Sequence, residues 1–344
     1  MRSPREFAEG HVPHAVNLPL LDDAQRALVG TVYREKGARD ARMRAVDLIS
    51  AGLPLYLRSL RSLQRDTRRL AVMCWRGGER SRNVVLLLAL VGAHAVQVKG
   101  GYKAYRGWVL EGLRGWRPTV PVFTLFGYTG AGKTEVLRAL ARIAPTLPPP
   151  RPAVVDLEAL ALHRGSLLGG LNQPGERTQK DFEALVWDAL RHADGDYVLL
   201  EGEGNKIGRI VLPETVADAV RAGLPIQVKA GLRARAERLL AEYAPGGWDT
   251  ADVAAFREIL ELIGRRLPPT RAATLRTALE DGRFPEVVAG LLQDYYDPLY
   301  QRSSVEGREF VLTLSTGPDP VENADRLATA IAGLRVPQGT SERV

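Results

Sequence analysis

Val122-Phe123-Thr124-Leu125-Phe126-Gly127-Tyr128-Thr129-Gly130-Ala131-Gly132-Lys133-Thr134 is the stretch whose reading decides the fold. Its first five residues carry no charge and read as a buried strand. A helical run follows from Lys133 to Ile143. Strand, glycine loop and helix in that order are what a phosphate loop requires. Gly127, Gly130 and Gly132 let the backbone approach phosphate oxygens, with Thr129 and Ala131 completing the cradle. Lys133 supplies a point charge, and the Thr134 hydroxyl would ligate Mg²⁺ where a metal takes part. The motif leaves the ligand open: ATP, GTP or any diphosphate ester fits.

The surrounding pattern extends this into an α/β domain. Ala153-Val154-Val155-Asp156, Tyr197-Val198-Leu199-Leu200-Glu201, Ile226-Gln227-Val228-Lys229 and Phe310-Val311-Leu312-Thr313-Leu314 read as further strands. Residues 232–300 read as mostly helical, broken by Pro245-Gly246-Gly247 and Pro268-Pro269. Glu201 ends its strand where a metal-binding or basic carboxylate would lie, and Gly202-Glu203-Gly204-Asn205-Lys206-Ile207-Gly208 reads as a second glycine-rich loop. Asp156, His163, Arg164, Glu201, Glu203 and Lys206 are therefore active-site candidates. For each the alternative is a structural or solvated role, and a lone His is more often structural.

Upstream of a linker at Arg117-Pro118-Thr119-Val120-Pro121, residues 1–117 read as a small α/β domain. His11 to Pro19 reads as a loop leading into a short strand. Residues 40–50 and 55–70 have helical character. Leu70-Ala71-Val72-Met73 is a strand that delivers Cys74, the single cysteine, into Cys74-Trp75-Arg76-Gly77-Gly78-Glu79-Arg80-Ser81. A helix from Asn83 to Val91, a strand at Ala95-Val96-Gln97-Val98 and a helix from Tyr102 follow. A thiolate nucleophile needs its pKa lowered, and Arg76, Arg80, the loop amides and a helix N-terminus all favour the anion. Two chemistries share the Cys-x5-Arg spacing: a sulfur or selenium carrier, and a cysteine-dependent phosphatase. Met73 stands where such phosphatases usually have His, and Gly77-Gly78 suits the carrier better.

Charge divides the chain. Residues 1–117 hold 21 Lys and Arg against 10 Asp and Glu, a net of +11, whereas residues 118–344 hold 26 against 30, a net of −4. A basic first third predicts a polyanionic partner, nucleic acid first among them. Arg58, Arg61, Arg65, Arg68 and Arg69 recur at helical spacing, as a phosphate-tracking face or a merely solvated one. No apolar stretch approaches the ~20 residues of a membrane span, and Met1 to Arg5 shows no secretory pattern. One cysteine excludes an intrachain disulfide and a multi-cysteine zinc site. A lone thiol suits a reducing compartment, so the expected location is cytoplasmic.

Taken together, these motifs resemble the tRNA 2-selenouridine synthase family. The resemblance runs through Arg2-Ser3-Pro4-x-Glu6-Phe7, Gly10-His11-x-Pro13, Val29-Gly30-Thr31-x-Tyr33, the cysteine loop, Gly100-Gly101-Tyr102-Lys103 and the phosphate loop. It continues through Asp156-Leu157-Glu158, His163-Arg164-Gly165-Ser166, Glu201-x-Glu203, Ile207-Gly208 and Asp294-Tyr295-Tyr296-Asp297-Pro298. It implies an α/β fold class: a rhodanese-like domain (1–117) followed by a P-loop NTPase-like α/β domain (118–344) with a helical portion at about 232–300. It also implies an Asp-Val pair and a strand ahead of Arg2, which are missing here, and a Ser where Gly204 stands.

The resemblance further implies a transferase acting on wobble 2-thiouridine in the tRNA anticodon loop. Geranyl diphosphate would alkylate the sulfur, and selenium from selenophosphate would then replace it. Geranyl diphosphate and selenophosphate are thus expected as co-substrates, with no tightly bound cofactor, and a selenophosphate-supplying enzyme as a partner. Cys74 would deliver selenium; Arg76, Gly77, Gly78, Arg80 and Ser81 would bind selenophosphate. Gly127 and Thr129 to Thr134 would bind the diphosphate, and the arginine series the tRNA. A nucleotide-dependent sulfurtransferase on another acceptor, and a nucleotide-gated RNA-binding module with a redox-sensing thiol, are the competing readings.

Overall fold

The computed structural model describes residues 1–64, 69–163, 177–202, 204–243, 250–301 and 307–334. It divides into two compact units, Met1–Leu113 with Thr178–Trp187, and Arg114–Arg177 with Asp188–Val344.

The second unit is built on a five-stranded parallel sheet of β3 (Val122–Phe126), β4 (Pro152–Val155), β5 (Tyr197–Glu201), β8 (Leu224–Lys229) and β9 (Leu312–Ser315). Their order is β4-β5-β3-β8-β9. The strand that carries the phosphate loop is therefore the central one, and every one of its residues is buried. A parallel strand covered on both faces needs such an uncharged run. Its single polar residue, Thr124, is satisfied by donating to Val220 O at 3.2 Å. The helix Lys133–Ile143 packs Val136, Leu137 and Leu140 against the sheet, and the helix Pro320–Ala332 adds Leu327 and Ile331 to the same core.

The stretch expected to be helical forms helices Leu232–Tyr243, Thr250–Gly264, Pro269–Glu280 and Phe284–Leu291. A π-helical turn, Leu292–Tyr296, then leads into Asp297–Tyr300. These segments have a core of their own around Leu239, Phe256, Leu260, Leu275, Val287 and Leu291. The glycine-rich stretch after Glu201 contains a small antiparallel hairpin, β6 (Lys206–Ile207) and β7 (Ile210–Val211), turned at Gly208 with φ 57°.

In the first unit, β1 (Leu70–Val72) and β2 (Ala95–Gln97) pair in parallel. Around them lie helices Asp23–Lys36, Ala38–Ile49, Leu53–Leu63, Glu79–Leu90 and Gly101–Gly115. Leu60, Val72, Val84, Leu88 and Ala93 form the core. Two expectations are corrected. No strand forms after His11–Pro19: Ala15 N–H closes a turn onto Val12 O, His14 has φ 63°, and the Asn17 side chain is used to accept from Arg2 N–H. The helix expected over 55–70 ends at Leu63, where Gln64 N–H bonds Arg61 O and the Gln64 side chain turns to accept from His94 N–H.

Candidate active site

Cys74 lies two residues beyond β1 and leads directly into the helix Glu79–Leu90. The intervening loop is tight. Gly77 has φ 64°, and a Cβ there would come within 2.6 Å of Val98 O. Gly101 (φ 58°) lets the next helix begin against the loop, so Tyr102 N–H bonds Cys74 O at 3.0 Å and Lys103 N–H bonds Trp75 O at 2.8 Å. Gln97, at the end of β2, ties the far side: its Nε2 donates to Gly77 O at 2.6 Å, Gly78 O at 2.9 Å and Ser81 Oγ at 2.9 Å. No motif pointed to Gln97.

The thiol is 3% exposed. Burial pushes its pKa up, but the Ser81 hydroxyl at 3.3 Å, the Ser81 and Gly78 backbone N–H groups and the nearby Arg80 charge outweigh burial. The net direction is below the ordinary thiol range. Donors aimed at sulfur stabilise the thiolate, the reactive form. Ser81, expected to meet a bound phosphate, is fully buried and is used by the thiol and Gln97. Arg80 donates to Glu6 at 3.0 Å, and Glu6 in turn pairs with Arg26 at 2.8 Å. Arg76 is exposed at the rim and makes no ion pair among the described residues.

In the second unit Gly130 (φ 77°) and Gly132 (φ 93°) take conformations that favour glycine. Gly127 abuts the Val228 carbonyl and leaves no room for a Cβ. Lys133 Nζ donates to Gly127 O at 2.9 Å and lies 5.3 Å from the Tyr300 ring centroid, with Tyr128 and Tyr300 rings 6.1 Å apart. The Thr134 hydroxyl lies 2.9 Å from Glu158 Oε2 and 3.0 Å from Glu201 Oε1. Glu201 Oε2 also accepts from Glu158 N–H at 2.9 Å, which fixes the Glu201 carboxylate although it is fully buried.

Thr134, Glu158 and Glu201 offer hard oxygen donors at the phosphate end of the loop. That set fits Mg²⁺, which binds through one or two carboxylates together with phosphate oxygens and water. Asp156 is placed differently from its neighbour. It caps the helix Leu157–Ala161 through Ala159 N–H at 2.8 Å and pairs with Arg138 at 3.0 Å. The carboxylate from this segment that reaches the loop is therefore Glu158, one helical step further on. His163 packs against the Gly208 turn, where a Cβ would lie 2.6 Å from its ring. Lys206 sits exposed on β6.

The described members of the arginine series do not share one helical face. Arg58 and Arg61 lie exposed on the helix Leu53–Leu63, while Arg69 is exposed beyond its end, just before β1. Arg61 also donates to Val91 O at 3.2 Å. Arg65, Arg68, Arg164 and Glu203 lie outside the described residues. Among the described residues no helix is long and apolar enough to cross a membrane.

Comparison with known proteins agrees with both halves. A family profile described as the tRNA 2-selenouridine synthase AAA domain matches residues 120–321, and one for the rhodanese-like domain matches residues 1–107. A tRNA 2-selenouridine synthase of Cupriavidus necator is 35% identical over 341 residues, covering 90% of this chain and 89% of that protein. Its counterpart in Cupriavidus pinatubonensis is 33% identical, covering 87% and 86%. The protein of the same name in a Sulfurovum species is 30% identical, also covering 87% and 86%.

Proposed function

The chain belongs to the tRNA 2-selenouridine synthase family, and from that premise we propose that it is a two-step transferase acting on wobble 2-thiouridine in tRNA. In the first step the sulfur attacks the first carbon of geranyl diphosphate. A carbon–sulfur bond forms, the carbon–oxygen bond breaks, diphosphate leaves and the uracil ring gives up its N3 proton. In the second step the selenium of selenophosphate adds at C2 of the ring and geranyl thiol leaves, and water cleaves the selenium–phosphorus bond to release phosphate.

The observation that carries this reading is the presence of two anion cradles of different chemistry on one chain. The glycine loop with Lys133 is suited to the charge that develops on a leaving diphosphate, because oriented amides and a fixed cation stabilise it without reorganising. Mg²⁺ bound by Thr134, Glu158 and Glu201 would supply further positive charge to the diphosphate. Tyr128 and Tyr300, beside Lys133, offer the prenyl chain an aromatic wall. The Cys74 loop is suited to selenium delivery. Its thiol is lowered toward the thiolate, and Arg76 stands at the rim for the phosphate of the donor.

The basic composition of residues 1–117 suits the tRNA backbone, with Arg58, Arg61 and Arg69 as exposed contacts. We place the enzyme in the cytoplasm, beside an enzyme that supplies selenophosphate. Isothermal titration with geranyl diphosphate and with ATP tests the first step. Tighter binding of geranyl diphosphate is expected. Preference for ATP would instead support a nucleotide-dependent sulfurtransferase.

A further inference from the structure

Three consecutive carbonyls of the phosphate loop are held from outside by side chains remote in sequence. Arg235 Nε donates to Thr129 O at 2.9 Å, Arg238 Nη1 to Gly130 O at 2.6 Å, and the Thr316 hydroxyl to Ala131 O at 2.9 Å. Arg235 and Arg238 stand three residues apart on the helix Leu232–Tyr243 and so share a face. Glycine permits the approach. A Cβ at Gly130 would lie 2.9 Å from Arg235 O, and one at Gly132 would lie 3.2 Å from Arg238 Cζ.

Both guanidinium groups are themselves anchored. Arg235 is 4% exposed, and a charge so buried needs a partner. Asp297 provides one with both carboxylate oxygens, at 2.9 and 2.5 Å. Arg238 pairs with Glu135 at 2.6 Å. Asp297 belongs to the Asp294-Tyr295-Tyr296-Asp297-Pro298 motif, for which the proposed chemistry has no use.

We propose that Arg235, Arg238 and Thr316 are positioning residues of the diphosphate site, with Asp297 as their anchor. A trans peptide is planar, so its C=O and the next N–H point in opposite directions. Holding Thr129 O and Ala131 O outward aims the Gly130 and Gly132 N–H groups into the cradle. It also keeps two carbonyl dipoles from facing the anion. The middle peptide serves the shape of the loop: Arg238 holds Gly130 O while Ala131 N–H closes the turn onto Tyr128 O at 3.0 Å. The helical segment thereby acts as a brace for the loop, and the loop is set for an anion before one arrives.

This inference rests on the reading that the loop binds a diphosphate, and not on what the diphosphate carries. The probe is therefore inorganic pyrophosphate, titrated calorimetrically into the full chain, with thermal unfolding of each variant recorded alongside. Thr316→Val keeps shape and removes the hydroxyl proton shared between Ala131 O at 2.9 Å and Lys229 O at 3.2 Å. Its Kd should rise about fivefold, the equivalent of about 1 kcal/mol, with a cooperative melting curve showing that the variant is folded. Arg235→Lys keeps the charge but has no fork to serve Asp297 and Thr129 O together, and its Kd should rise at least about tenfold. If Arg235 acted only as a nearby charge, the lysine would preserve affinity.

Wild-type pyrophosphate affinity in both folded variants would overturn the proposal. Were Arg235→Lys to unfold, Thr316→Val alone decides. Failure of the wild-type chain to bind pyrophosphate would remove this proposal together with the diphosphate reading. Normal pyrophosphate binding with these variant effects, but no binding of geranyl diphosphate, would remove only the prenyl assignment.

Discussion

Replacing Gln97 tests the cysteine loop most sharply, because the side chain is isosteric with Glu and its contacts to two carbonyls require a donor. Its Nε2 serves Gly77 O, Gly78 O and Ser81 Oγ. Gly78 O keeps another donor, Arg82 N–H at 3.1 Å. Gly77 O is the acceptor that loses out in Gln97→Leu. One half-buried carbonyl without a donor costs about 1–3 kcal/mol, which lowers the melting temperature by a few degrees. Gln97→Glu does worse at neutral pH. It sets a carboxylate against two carbonyls and adds negative charge beside the thiolate, which pushes the Cys74 pKa back up. Selenium incorporation should therefore fall in the order wild type, Leu, Glu, while geranylation of thiolated tRNA stays at the wild-type rate. The assay is a nucleoside time course by mass spectrometry, with each step supplied its own co-substrate. A Glu variant that inserts selenium at the wild-type rate would refute the claim that Gln97 holds in place the loop whose donors stabilise the thiolate.

Further expectations follow from the same contacts. Cys74→Ala should still geranylate thiolated tRNA but insert no selenium, read as accumulation of the geranylated nucleoside; loss of both steps would overturn the division of labour. The Cys74 pKa is lowered, so the thiolate forms on the acid side of the ordinary thiol range. The rising limb of the selenium step against pH should lie there and move to higher pH in Ser81→Ala, as a pH–rate series would record. Glu158→Gln and Thr134→Val should each slow geranylation by about 10²–10³, the scale seen when one group stabilising transition-state charge is removed, while Asp156→Ala should chiefly cost stability through its cap. Single-turnover rates and melting curves separate those two outcomes.

Much of the architecture was legible because local pattern and global fold agree. Val122–Phe126 is uncharged and buried on both sides, so its period and composition left little choice, and the helix from Lys133 to Ile143 follows from the loop. Residues 197–200 were readable for the same reason. The helix Asp23–Lys36 was missed although Asp22 and Gln25 form a capping box, because none of its residues is buried and its apolar period is weak. Arg69 lies off the helix that carries Arg58 and Arg61 because that helix ends at Leu63, with the Gln64 side chain turned to His94 N–H. Gln97, Glu158, Arg235, Arg238 and Thr316 act through contacts between residues far apart in sequence. Spacing along the chain carries no signal for such pairs. Asp156 drew attention over Glu158 because the strand end is where a carboxylate is expected, yet the following helix presents the later residue.

The central claim is that one chain uses a diphosphate loop to alkylate sulfur and a cysteine loop to exchange it for selenium. Its most direct measurement is mass spectrometry of nucleosides from thiolated tRNA incubated with the protein and geranyl diphosphate, before and after selenophosphate is added. S-geranyl-2-thiouridine should form first and 2-selenouridine afterwards, with Lys133→Met blocking the first product and Cys74→Ala only the second. Unaltered 2-thiouridine throughout, or 2-selenouridine formed at full rate without geranyl diphosphate, would contradict it.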